Sequence, residues 1–206
     1  MHAITVHHAD DHLLIVEKPA GLLSVPGRLP ELRDCLISRI QSEYPDALTV
    51  HRLDQVTSGL VAIARGAAMQ RALSMQFERR AVEKRYEALV EGLVGDDAGE
   101  IDLPLICDWP NRPRQKVDME IGKPSLTRWR VLSRDAVAST TRLALEPVTG
   151  RSHQLRVHLA SIGHPIVGDA FYGAVPAARV CLHAARLGFA HPATGAWQAW
   201  VSAAPF

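Results

Sequence analysis

Short apolar runs alternate with turn-forming residues along the whole chain. Ile4 to His8 and Leu13 to Glu17 are two such runs, separated by Ala9-Asp10-Asp11-His12, and this spacing predicts a hairpin. Lys18-Pro19-Ala20-Gly21 breaks the second run, because proline has no ladder donor to offer. Leu32, Leu36 and Ile40 recur at four-residue steps and predict one helix from Glu31 to Tyr44, stopped by Pro45. Leu60 to Ala64 reads as a strand punctuated by Gly66. From Ala67 to Arg80, Met69, Leu73 and Phe77 form the apolar stripe of a second helix. Alternation returns at Tyr86, Ala88 and Val90, at Trp129 and Val131, and at Thr141, Leu143 and Leu145, which predicts three more strands. Ser152 to Ile162 reads as a helix with Ser152 as N-cap and Gly163 as its stop. Cys181 to Phe189 and Trp197 to Val201 read as a final hairpin around His191-Pro192-Ala193-Thr194-Gly195. Strands and helices mix without strict alternation, and neighbouring strands look hairpin-linked. The expected fold is therefore α+β, with a mixed, largely antiparallel sheet flanked by helices and loops.

Length and composition keep this picture simple. A chain of 206 residues suits one domain, and neither a repeat nor a linker divides it, so a single domain over residues 1–206 is expected. Hydrophobic residues make up 47%, enough to fill a core and to exclude global disorder. No apolar run approaches a membrane span, and the first residues lack the basic region and long apolar stretch of a signal peptide, so the expected location is the cytoplasm. Cys35, Cys107 and Cys181 stand far apart with no metal-ligand spacing, and are expected to be reduced and partly buried. His153 and His158 are five residues apart, which does not stack them on a helix, so no metal is expected. Net charge is only +1, so any nucleic-acid binding has to come from a local basic face.

Four segments carry unusual chemistry. In His51-Arg52-Leu53-Asp54-Gln55-Val56-Thr57-Ser58-Gly59-Leu60 one carboxylate sits between a cation and a run of turn-formers. Such an aspartate can be a nucleophile, and it can equally be a turn or cap residue that bonds its own backbone. In Glu83-Lys84-Arg85-Tyr86 a tyrosine follows two cations at a strand start; it suits a site, and it suits a core face. In Gly150-Arg151-Ser152-His153-Gln154-Leu155-Arg156-Val157-His158 a glycine turn delivers Arg151 to the mouth of a helix; it suits a site, and it suits a surface residue, although a cation there opposes the helix dipole. Cys107-Asp108-Trp109-Pro110-Asn111-Arg112-Pro113-Arg114-Gln115-Lys116 is a proline-stiffened basic loop, either a solvated surface or a nucleic-acid contact.

Taken together and in order, these segments resemble the RluA family of pseudouridine synthases. His51-Arg52-Leu53-Asp54 with Thr57-Ser58-Gly59 is similar to the signature around that family's catalytic aspartate, Lys84-x-Tyr86 to its second motif, and Gly150-Arg151-x-His153-Gln154-Leu155-Arg156 to its third. Lys18-Pro19-Ala20-Gly21-Leu22 also matches. Ser24-Val25-Pro26-Gly27-Arg28 and Asp102-Leu103-Pro104-Leu105, running into the basic loop, resemble the small dual-specificity branch, which modifies a tRNA anticodon loop and a large-subunit (23S) rRNA loop. Larger relatives carry an N-terminal S4-type RNA-binding module; here the pattern begins near the N-terminus, so no S4 domain is expected.

The resemblance implies an isomerase that turns uridine into pseudouridine in structured RNA, with no cofactor and no metal; nothing in the chain demands a dimer, so a monomer is expected. It makes Asp54 the nucleophile or ribose-destabilising carboxylate, Arg151 the guanidinium that keeps it ionised, and Tyr86 the ring that stacks on or abuts the uracil and takes part in proton removal from C5. Leu155 becomes an apolar wall for the flipped base, and Arg52 the side chain that fills the vacated stack. Arg112, Arg114 and Lys116, with Arg79, Arg80, Lys84 and Arg85, become phosphate contacts. The competing reading is a non-catalytic RNA-binding or RNA-folding factor. A glycosidase is a third, but it needs a second carboxylate and none suggests itself.

Overall fold

The computed structural model describes residues 4–206, and the chain folds as two compact units. The first runs to Lys84 and resumes from His183 to Pro205; the second comprises Arg85–Leu182 with Phe206.

In the first unit, β1 (Thr5–Ala9) and β2 (Leu13–Lys18) form the hairpin the sequence predicts. Asp10 holds its turn by accepting the N–H groups of His12 and Leu13. Next come α1 (Leu36–Gln41), β3 (Ala47–Thr49), β4 (Ser58–Arg65) and α2 (Gly66–Glu78). The strand β4 is buried almost throughout, as a central strand should be, and pairs antiparallel with β2 on one side. After the second unit the chain returns as β11 (Leu182–Ala190), which lies parallel to β4 at Ser58 and Gly59 and antiparallel to β12 (Trp197–Val201). One parallel pair among antiparallel ones makes the sheet mixed, as expected. Leu13, Ile15, Leu60, Leu73, Leu187 and Phe189 form the core between this sheet and α2.

The second unit holds β5 (Glu83–Glu91, from Arg85 onward), β6 (Ala98–Asp102), β7 (Leu105–Cys107), β8 (Gln115–Val117), β9 (Leu126–Asp135), β10 (Thr140–Pro147) and α3 (Gln154–Ser161). Its strands run in the order β5-β10-β9-β6, all antiparallel, with β7 and β8 as a separate hairpin. Among the described residues no helix is long and apolar enough to cross a membrane.

Two expected elements differ in detail. The helix predicted from Glu31 to Tyr44 splits into a short 3₁₀ turn, Pro30–Leu32, and α1. Cys35 breaks it: its backbone is extended, at φ −152°, because it bridges to Leu23. The first N–H groups of α1, those of Leu36 and Ile37, then donate to the carbonyls of Leu23 and Ser24, which meets the usual need of a helix start. A tertiary bridge thus overrides the four-residue period. The second difference is at α3, where the N-cap is His153 and not Ser152. Gly163, at φ +84°, ends that helix as expected.

Candidate active site

Asp54 sits on a turn in which the Thr57 N–H donates to the Asp54 carbonyl at 3.1 Å. The residue is half-buried. Its neighbours on both sides are clamped to the segment that follows β2. On one side, the Ser24 hydroxyl donates to the Leu53 carbonyl at 2.7 Å and accepts the Leu53 N–H at 3.1 Å. On the other, the carbonyl of Gln55 accepts from the Gly21 N–H at 2.8 Å and from the Lys18 ammonium at 3.1 Å. The Gln55 amide reaches back to the Gly21 carbonyl at 3.0 Å. Lys18 is fully buried, and its ammonium also donates to the carbonyls of Pro19, at 2.9 Å, and Leu22, at 2.7 Å. A buried charge is tolerable only when hydrogen-bonded in this way. The Lys-Pro-Ala-Gly-Leu stretch is therefore the frame of the Asp54 turn. The family pattern includes Lys18 but assigned it no role; a lysine ending an apolar strand is the signal in the sequence.

His51, Ser58 and Gly59 of the decapeptide have structural partners as well. The His51 ring stacks on Phe77, with centroids 4.4 Å apart, and its Nε2 accepts the Ala62 N–H of β4 at 3.0 Å. Burial, and then the charge of Lys84, push its pKa down to about 3, so the ring is the neutral acceptor that this bond requires. Gly59 has φ +115°, and a Cβ there would meet the backbone of Ala184 on β11 at 2.4 Å, so only glycine allows this parallel pairing. The Ser58 hydroxyl lies 2.9 Å from His183 Nδ1; His183 Nε2 meets the Ser202 hydroxyl at 3.0 Å, and that hydroxyl donates to Glu17 at 2.7 Å. Arg52 is exposed.

In the second unit, Tyr86 lies on β5 opposite Leu145 of β10. It is half-buried and shares its strand face with the buried Ala88 and Val90, so it stands at one end of an apolar stripe. The third segment builds a scaffold around Arg151. The Gln154 side chain is buried; its Oε1 accepts from the Thr149 hydroxyl at 2.7 Å and from the Arg151 N–H at 3.0 Å. Its amide donates to the Leu126 carbonyl and to the Thr127 hydroxyl. This fixes the backbone of Arg151 while its side chain stays exposed, its Nε donating to the Pro124 carbonyl at 3.4 Å. His153 takes the left-handed conformation, φ 52°, and its Nδ1 lies 2.6 Å from the Tyr172 hydroxyl. Arg156 and Asp169 form a buried two-point ion pair at 2.6 and 2.8 Å. His158 donates from Nε2 to the Leu103 carbonyl, and burial pushes its pKa down. Both histidines of this segment thus serve protein partners. Leu155 is buried.

Residues 108–114 form the tip of the β7–β8 hairpin, and Gln115 and Lys116 begin β8. Arg112 and Lys116 are exposed and Arg114 is half-buried. The Arg112 guanidinium lies 4.3 Å from the centre of the exposed Trp109 ring, and that of Arg114 lies 5.2 Å from the Phe171 ring. The Tyr172 hydroxyl accepts the Gln115 N–H, which joins this hairpin to the His153 scaffold. Arg79, Arg80 and Arg85 are exposed, while Lys84 is half-buried. Asp169 and Tyr172, which brace the third segment, escaped the sequence reading; both lie in an irregular stretch with no spacing to mark them.

Residues 12–161 match the pattern of the RNA pseudouridylate synthase family. The dual-specificity RNA pseudouridine synthase RluA of Escherichia coli (strain K12) is 50% identical over 196 residues, covering 93% of this chain and 89% of that protein. The protein of the same name from Vibrio vulnificus (strain CMCP6) is 56% identical over 190 residues, covering 89% of this chain and 76% of that one. Among solved structures, human RNA pseudouridylate synthase domain containing 1 superposes with a TM-score of 0.83 at 28% identity, covering 99% of this chain and 84% of that chain.

Proposed function

We propose that this chain, which belongs to the RNA pseudouridylate synthase family and isomerises uridine to pseudouridine in RNA, acts on two folded targets, a tRNA anticodon stem–loop and a loop of 23S rRNA. The observation behind the choice of targets is its identity of about half, over nearly its whole length, with proteins called dual-specificity. The reaction breaks the bond between ribose C1′ and uracil N1, rotates the base, and joins C1′ to C5. The C5 proton leaves and N1 gains one, so no redox partner is needed.

In this proposal Asp54 is the nucleophile or ribose-destabilising carboxylate, and the clamped turn supports that role by fixing its backbone before substrate arrives. Tyr86 abuts the uracil and assists removal of the C5 proton. Arg151 supplies the positive charge, and the bond of Gln154 to its N–H is what aims it. Leu155 is the apolar wall that keeps water from the detached base. Arg52 fills the space left by the flipped nucleotide. Arg112, Arg114 and Lys116 hold phosphates and give affinity without reading sequence. We further propose that the enzyme works as a monomer in the cytoplasm without metal or cofactor. The alternative of a non-catalytic RNA-folding factor has no observation behind it, since Asp54, Tyr86 and Arg151 are all present.

The test incubates purified protein with an anticodon stem–loop RNA and a 23S loop RNA and maps pseudouridine at each position. New pseudouridine is expected in both; none in either, from folded protein, overturns the proposal, and free uracil would point to a glycosidase instead. Asp54→Asn is expected to lose turnover by several orders of magnitude while still binding RNA, and turnover near that of the unaltered protein would remove Asp54 from its role.

A further inference from the structure

We infer that the tip of the β7–β8 hairpin is a stacking site for one unpaired base of the substrate RNA, formed by the open face of Trp109 and backed by Arg112. The inference rests on the RNA-binding function proposed for the chain and adds a base contact to the phosphate contacts of the same loop.

A tryptophan left 64% exposed forfeits a large hydrophobic gain, so its placement needs a reason. The tip that carries it is well built. The N–H groups of Asp108, Asn111 and Arg114 donate to the carbonyls of Arg114, Asp108 and Asn111, and the Asn111 amide donates to the Asp108 carboxylate at 2.9 Å. Below the tip, the Gln115 N–H donates to the Tyr172 hydroxyl and Arg114 rests on Phe171. The loop is held closed, and still it turns its largest side chain outward.

Arg112 explains the form of the site. Its guanidinium covers one face of the indole at 4.3 Å, which orients the ring and leaves the other face open. The two other aromatic rings to weigh against it are differently engaged. Phe171 has the guanidiniums of both Arg114 and Arg156 beside it, at 5.2 and 5.6 Å, and serves to anchor the loop. Trp197 is exposed to a similar degree, but it leans on Gly188 of the neighbouring strand. Trp109 thus combines an open π-face, a bound planar cation and neighbouring charges on Arg114 and Lys116. That is the chemistry that holds a splayed base and the phosphates on either side of it. A protein partner would prefer a wider apolar surface, whereas here the group recorded against the ring is the charged guanidinium of Arg112.

The experiment measures binding of a fluorescent anticodon stem–loop RNA, and of a fully duplexed RNA of equal length, by anisotropy across a salt series. Wild type, Trp109→Ala, Trp109→Phe and Arg112→Ala are compared, with a thermal melt to show that each is folded. Trp109→Ala is expected to bind the loop RNA roughly ten-fold or more weakly, with its salt slope unchanged, and to bind duplex as wild type does. Trp109→Phe should keep most of the affinity, and Arg112→Ala should lower the salt slope by about one. Loop binding by Trp109→Ala within about two-fold of wild type overturns the inference. So does an equal loss on duplex, or a loss in Trp109→Phe as large as that in Trp109→Ala. Binding does not require turnover: wild type that binds loop RNA through Trp109 but makes no pseudouridine defeats the functional proposal and leaves the stacking site standing, and wild type that binds neither RNA defeats both.

Discussion

Replacing Lys18 by methionine removes the frame of the Asp54 turn while keeping the length of the side chain. Three hydrogen bonds are lost, to the carbonyls of Pro19, Leu22 and Gln55. Gln55 keeps the Gly21 N–H, so its oxygen is not stranded. The oxygens of Pro19 and Leu22 lose this donor, and a buried acceptor left without one costs about 1–3 kcal/mol. Relief from burying an ammonium offsets part of the loss. The net destabilisation expected is about 3 kcal/mol, which in a protein of this size lowers Tm by roughly 6–12 °C. The functional effect should be separate and larger than the fraction unfolded explains. At a temperature where the variant is fully folded, kcat for pseudouridine formation should fall by at least about ten-fold, because the carboxylate no longer has a fixed backbone. Differential scanning calorimetry and single-turnover assays with the stem–loop RNA read the two effects independently. A variant that melts within about 2 °C of wild type and turns over at the same rate would show that Lys18 does not hold the turn, and the clamp could not then be what positions Asp54.

Gly59→Ala should be worse still, since the new Cβ would sit 2.4 Å from the Ala184 carbonyl at a φ of +115°; a loss of about 3 kcal/mol or more is expected, seen as low soluble yield or a collapsed melting temperature, and a normal melt would refute the packing argument. The pH dependence of stability should carry the mark of His51. Its folded pKa, about 3, lies below the ordinary 6.5, so between those values the unfolded chain holds a proton that the folded one refuses, and stability falls as the medium is acidified through that window. His51→Gln retains an acceptor for the Ala62 N–H without titrating, so between about pH 7 and about pH 5.5 the wild type should lose roughly 1 kcal/mol more than the variant in urea unfolding; identical pH profiles would mean that the ring is not buried and neutral.

The residues proposed for the site stand out in the sequence because their patterns are local in the chain. A carboxylate between Arg52 and a run of turn-formers, a tyrosine at a strand start and an arginine at a helix mouth are each visible as short patterns, and their order identified the family. Most elements were legible for the same reason, since period and punctuation are properties of neighbours: β2, β4, α2 and β10 lie within a few residues of their expected places. The failures came where a distant partner decided. Cys35 falls within the helical step of Leu32, Leu36 and Ile40, yet its bridge to Leu23 holds it extended. Ser152 was read as the cap of α3, yet the Tyr172 hydroxyl lies against the ring of His153, and it is His153 that takes the left-handed position there.

The amino-acid order alone thus determined what kind of fold the chain takes and marked the groups proposed for the chemistry, because hydropathy period, turn propensity and reactive side chains are written residue by residue. The tertiary structure alone decided what holds those groups still: the Lys18 ammonium gathering carbonyls that lie up to 37 positions away, Gln154 bonded across 28 positions to Leu126, and Asp169 locked to Arg156. Those partners are matched by direction and distance in space, and hydrogen bonds between groups remote in sequence leave no periodic trace in the chain that makes them.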